Sequence, residues 1–120
     1  MARLTDSIRL QAYCEALSNW RFAGYVQFEL SLAAFRWVSI NLEGLALKEL
    51  GRLMHEHVLA GGEIDEVAET RPEWRDKYAF HYDLRFVIDG QPVYLETRLN
   101  YRLPLVNDES WILVVNIHAP

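Results

Sequence analysis

Two short rows of chemistry-bearing residues stand out in the C-terminal half of the sequence. His81, Asp83 and Arg85 are spaced two apart, and so are Tyr94, Glu96 and Arg98. In an extended chain alternate side chains share one face, so each row presents its groups together. An imidazole, carboxylates, a phenol and two guanidinium groups within side-chain reach are what acid–base work on a phosphate or carbonyl needs, with the cations stabilising developing negative charge. Near the C-terminus Asn116 and His118 alternate in the same way and join that face if their strand pairs in a suitable register. The alternative for the same residues is a surface ion-pair network, because the outer faces of antiparallel sheets are commonly charged.

His81, Asp83, Glu96 and His118 also make up a metal-ligand set, but Arg85 and Arg98 are interleaved with them and would repel a cation. Neither a metal nor any other cofactor is therefore expected. His55 and His57 lie two apart in a helical stretch, which points them away from each other, and they are expected to stabilise a helix C-terminus. No glycine-rich phosphate loop, serine elbow or cysteine motif is present. Trp20, Trp37, Trp74, Trp111 and Tyr101 could stack on bases, but few lysines accompany them, and core packing is the expected role; Trp74 sits in a charged connection and fits that role least well.

The elements that position these residues follow from the dipeptide Asp89-Gly90, which supplies both positive-φ positions of a type I′ hairpin turn. A two-residue turn sets Ile88 opposite Gln91 and fixes every pair behind it. Leu84 with Leu95 and Phe86 with Val93 then face one side, continued by Ile88 and Leu99. The other side collects His81 opposite Arg98, Asp83 opposite Glu96, Arg85 opposite Tyr94 and Val87 opposite Pro92. Opposed carboxylates cost a few tenths to about 1 kcal/mol unless cations intervene, and His81, Arg85 and Arg98 are placed to do so.

Upstream, Thr5 or Asp6 can cap a helix running to about Asn19 with the stripe Leu10, Tyr13, Cys14 and Leu17, and Gly24 then breaks the pattern. Tyr25 to Leu30 alternates as a strand. Ser31 caps a short helix through Phe35 and Val38, and Asn41 caps a longer one ending before Gly61-Gly62, with Leu42, Leu45, Leu50, Leu53, Met54 and Val58 on its buried side. Glu63 to Glu69 gives a weaker strand pattern, and Arg71 to Lys77 reads as an exposed connection. Asn100 to Ser110, with Pro104 and Asn107-Asp108, is a loop. Trp111 to His118 is a final strand, expected at the centre of the sheet because Ile112 to Val115 is apolar throughout. The fold class is α+β: N-terminal helices packed on one face of a mainly antiparallel sheet of four to five strands, with the hairpin at residues 79–99, in one domain spanning 1–120.

Composition narrows the function classes. With 12 basic and 17 acidic residues the formal charge is −5, which disfavours general attraction to nucleic acid or anionic membranes. The acidic excess lies outside residues 71–102. Cys14 is the only cysteine, so no internal disulfide can form and a reducing, cytoplasmic setting is expected. No signal pattern opens the sequence, and no apolar run approaches the roughly 18 residues a membrane span needs.

From Tyr25 onward the order of strand, two helices, then three or four antiparallel strands ending in a central one resembles the RelE and ParE type of small bacterial toxin domain. Residues 1–24 are then an N-terminal helical extension and 25–120 the RelE-like core. Gly61-Gly62-Glu63-Ile64 and Asp89-Gly90-Gln91-Pro92-Val93 also resemble segments of small bacterial domains related to that superfamily. The resemblance implies a metal-independent ribonuclease, or an inactive relative, whose sheet residues promote 2′-hydroxyl attack on RNA. The matching positions are His81, Arg85, Tyr94, Glu96, Arg98 and His118. His81 or Glu96 is then the general base, Arg85 and Arg98 hold the phosphate, and Tyr94 or His118 protonates the leaving oxygen. The other function class is a non-catalytic protein-interaction or regulatory domain that docks through the charged sheet face or a strand edge. Expected partners are thus a protein or RNA, with a homo-oligomer also compatible; DNA and membranes are not expected.

Overall fold

In the computed structural model, which describes residues 2–22, 28–105 and 110–120, the chain forms β1 (Ala2–Arg3), α1 (Ser7–Ser18), a 3-10 turn (Asn19–Phe22), β2 (Phe28–Leu30), α2 (Leu32–Asn41), α3 (Leu47–Leu59), β3 (Asp65–Ala68), α4 (Pro72–Arg75), β4 (Phe80–Ile88), β5 (Gln91–Asn100) and β6 (Trp111–His118). Asp6 starts α1 by accepting the Arg9 amide at 2.9 Å. Ser31 starts α2 by accepting the Ala34 amide at 3.1 Å, and its hydroxyl donates to the Val115 carbonyl at 2.6 Å, pinning the helix to β6. Behind α3 the Gly62 amide donates to the His57 carbonyl and the Gly61 amide to the Val58 carbonyl. With Gly61 at φ 90° this is a Schellman stop, which is why paired glycines end the helix.

Asn41 does not cap α3. It is the last residue of α2 and donates to the Trp37 carbonyl at 3.0 Å, while Gly44 at φ 85° turns the chain and α3 begins after Ala46 without a side-chain cap. Leu42 and Leu45 therefore pack from the link between the helices, and Leu50, Met54 and Val58 form the buried stripe of α3. Gly24, the first part of the expected strand at 25–30 and Asn107-Asp108 lie outside the described residues.

Among the described residues six strands, one or two more than the sequence suggests, form one sheet in the order β1-β3-β4-β5-β6-β2. All neighbours are antiparallel except β2 with β6. The extra strand is β1, two residues paired with β3. At the turn, Asp89 has φ 49° and Gly90 φ 78°, and the predicted hairpin register holds from Ile88–Gln91 to Tyr82–Thr97. β6 is bonded on both sides but lies second from the sheet edge, not at its centre. Its Ile112, Val114 and Ile117 enter the core, whereas Leu113 and Val115 are only half-buried. A bulge between Glu96 and Thr97 absorbs one residue of β6, so core positions that differ in parity still face inward.

Helices α1 and α2 pack on β6 and α3 packs on β4, covering the face that carries Leu84, Val93 and Leu95. The segment before residue 25 supplies Ala12, Tyr13, Ala16 and Leu17 to this core, all fully buried. Inside it the Thr97 hydroxyl donates to the Tyr82 carbonyl and accepts from the Tyr13 hydroxyl, both at 2.7 Å, which joins α1 to the hairpin. His57 stacks on Phe86 at 4.8 Å, and burial pushes its pKa down. It thus serves as an aromatic ring in the packing and not, as expected, as a charge at the helix end. Among the described residues no helix is long and apolar enough to cross a membrane.

Gly51 lies inside α3 with Trp20 against it, and a Cβ there would come within 2.8 Å of Trp20 Cβ. Alanine gains about 1 kcal/mol in helix propensity, but overpacking against atoms held near the backbone costs about 1–3 kcal/mol. Gly51→Ala is expected to lose about 1 kcal/mol net in urea unfolding, opposite in sign to the propensity effect.

Candidate functional site

The sheet face turned away from α1, α2 and α3 carries His81, Asp83 and Arg85 from β4, and Tyr94, Glu96 and Arg98 from β5. β6 adds Asn116, paired with Glu96, and His118, paired with Tyr94, so all the groups picked from the sequence share one face. They divide into two clusters.

Arg98 anchors the first cluster and is 0 % exposed. Its Nη2 lies 2.6 Å from Glu69 Oε2 and its Nη1 2.9 Å from Glu96 Oε2, and the ring of Trp74 covers the guanidinium at 4.9 Å. Arg71 closes the circuit: its side chain bonds to both Glu69 and Glu96, and its amide donates to Glu69 Oε1 at 3.0 Å. Glu69, Arg98, Glu96 and Arg71 therefore form a ring of alternating charge. Local geometry explains it. The Glu69 amide pairs with the Ala79 carbonyl, extending the β3–β4 ladder, and Pro72 opens the single turn of α4 that folds Trp74 back over β5. The connection at 71–77 is largely exposed, as expected, but Arg71 and Trp74 turn inward from it and cover Arg98.

Asp83, 1 % exposed, anchors the second cluster. Its Oδ1 is 2.8 Å from His81 Nδ1, and its Oδ2 accepts the Tyr94 hydroxyl. Arg85 is bonded to Asp65 of β3 and lies over the Tyr94 ring at 4.8 Å, while His118 stacks on the same ring at 4.9 Å. Burial and the neighbouring Asp83 carboxylate together push the Tyr94 hydroxyl well above its ordinary pKa, so it remains a donor.

Chemically, the face is a set of groups already joined to one another. Burial acts to raise the Glu69 and Glu96 carboxyls, but hydrogen bonds from Arg71, and from Arg98 to Glu96, outweigh it and hold both below the ordinary 4.5. Arg98 is enclosed and out of reach of a phosphate in solution. One ligand atom each from His81, Asp83 and Glu96 lies within 4.8 Å of the others; His118, fourth in the set considered from sequence, stands apart on Tyr94. Glu69, Arg71, Trp74 and Asp65 were not picked from the sequence. The one signal for them was a tryptophan inside a charged connection.

Removing one member of a buried ion-pair network leaves the others uncompensated, so Arg98→Met is expected to cost about 3–5 kcal/mol at neutral pH. Because the folded-state pKa values of Glu69 and Glu96 are depressed, the network's contribution is full above about pH 4.5 and is lost as pH falls through the folded values. Urea unfolding followed by tryptophan fluorescence should show the gap between wild type and Arg98→Met narrowing below that pH.

Comparison with protein-family models, with curated proteins and with solved structures finds no match for this chain.

Proposed function

We propose that this domain works by binding a protein partner and not by cleaving RNA. The observation that carries this reading is the closed ring of Glu69, Arg98, Glu96 and Arg71. A phosphodiester on this face would have to displace a carboxylate from a guanidinium, and each displaced carboxylate would lie next to the incoming anion. Transition-state stabilisation needs donors aimed at the place where charge develops, whereas these donors are aimed at Glu69, Glu96 and Asp65.

The opposite end of the sheet offers what a partner needs. Along α2, Leu32, Phe35 and Ile40 are 63 %, 57 % and 78 % exposed. Phe35 also lines a groove of about 390 Å³ whose walls include Leu30, Val38, Leu42 and Leu47. Leu30 belongs to β2, the last strand of the sheet, so a strand edge and an apolar groove adjoin each other. Both are surfaces that extended segments and amphipathic helices recognise. The partner is therefore a protein presenting an apolar strand or helix face.

Leu32→Asp combined with Phe35→Asp should weaken the partner complex by about 2 kcal/mol or more with little change in melting temperature, as expected for exposed anchors. Val87→Asp, at an exposed position on the other face of the hairpin, should leave the complex intact. RNA incubated with the wild-type protein should stay whole; cleavage that disappears in His81→Ala would overturn the reading.

A further inference from the structure

We infer that His81, Asp83 and Glu96 form a binding site for one divalent transition-metal ion, held by one imidazole nitrogen and two carboxylate oxygens. The site is distinct from the docking end at α2 and does not depend on it. The three ligand atoms lie within 4.8 Å of one another, and the edge from His81 Nδ1 to Asp83 Oδ1 is 2.8 Å. That is close to the edge of about 3 Å expected for a coordination polyhedron with metal–ligand bonds of about 2.1 Å. Mixed nitrogen and oxygen donors suit Zn²⁺ and Mn²⁺.

The outer contacts are arranged as a metal site requires. Tyr94 donates to Asp83 Oδ2, which leaves Oδ1 toward the centre. Arg71 and Arg98 both bond to Glu96 Oε2, which leaves Oε1 for the ion. Donors on the far oxygens orient ligating carboxylates and hold them in place.

Charge also favours a cation, despite the arginines that the sequence places among these ligands. Glu69, Glu96, Asp83 and Asp65 stand against Arg71, Arg98 and Arg85, so the connected groups carry one formal negative charge in excess. Asp83, almost wholly buried, is bonded to an imidazole and a phenol. A buried carboxylate in that position is stabilised by a positive charge beside it, and a bound metal ion would supply one in direct contact. The ion would join β4 to β5 through the directly opposed pair Asp83 and Glu96. His81 and Glu96 keep 15 % and 12 % of their side chains exposed, which gives the ion a route in from solvent.

Chelator-treated full-length protein titrated with Zn²⁺ and with Mn²⁺ tests this, with calorimetry for stoichiometry and Mn²⁺ electron paramagnetic resonance for the ligand environment. The expected result is one ion per chain and a melting temperature raised by several degrees at saturation. His81→Ala and Glu96→Gln should each weaken binding about tenfold or more, and Tyr94→Phe about tenfold through the lost outer contact, while His118→Ala should not change it. If Glu96→Gln does not fold, the partly exposed His81 decides the matter. Absence of binding by both ions at millimolar concentration, or stoichiometric binding that survives His81→Ala, would overturn the proposal.

Discussion

A guanidinium with no solvent exposure keeps its charge only if carboxylates take over the role of water, because removing it from water costs several kcal/mol even after the protein relaxes. Arg98 is in that position, and much of the architecture on its side of the sheet follows from it. Glu69 must lie just past the end of β3, Glu96 two residues before Arg98 on the same strand face, and Arg71 where it can balance both acids. The chain meets the last requirement by making one helical turn immediately after Arg71. The same turn brings Trp74 over the guanidinium, which excludes water and adds an interaction with the ring face.

The hairpin underneath poses a second electrostatic problem, since Asp83 and Glu96 are directly opposed. The fold solves it by giving each acid a different kind of partner. Glu96 receives the two arginines, whereas Asp83 receives an imidazole and a phenolic hydroxyl. This division gives Glu96 guanidinium partners and Asp83 ring-borne donors. The result is an asymmetric site on a symmetric ladder.

How much of this could be read in the sequence depends on the range of the interaction responsible. The turn at Asp89-Gly90 and the alternation around it are local, and they give the hairpin register and both of its faces correctly. Capping by Asp6 and Ser31 is equally local. Asn41 misleads because a residue that can cap a helix start can also bond backward to a carbonyl at a helix end, and only the turn at Gly44 decides between them. β1 is too short to carry a pattern, and its pairing with β3 spans more than sixty residues of chain. Glu69, Arg71 and Trp74 belong to the site through contacts up to 29 residues apart, and a charged connection looks the same in sequence whether it is solvated or folded over an arginine. His118 reaches Tyr94 only because of the bulge in the β5–β6 ladder, which period-two reasoning does not foresee.

The contrast between the two ends of the sheet bears on which of them does the protein's work. On the face with Arg98, nearly every charged group has a partner of opposite sign within bonding distance, and opening any one pair leaves a buried charge behind. Such a surface resists rearrangement around a large anionic ligand. Along α2, by contrast, Leu32, Phe35 and Ile40 are exposed, and covering apolar side chains with another protein surface is favourable by roughly 25 cal/mol for each Å² buried. Association at that end disturbs no ion pair of the ring. On the function proposed above, the two ends carry separate roles, one that sets the rigidity of the hairpin and one that meets a partner.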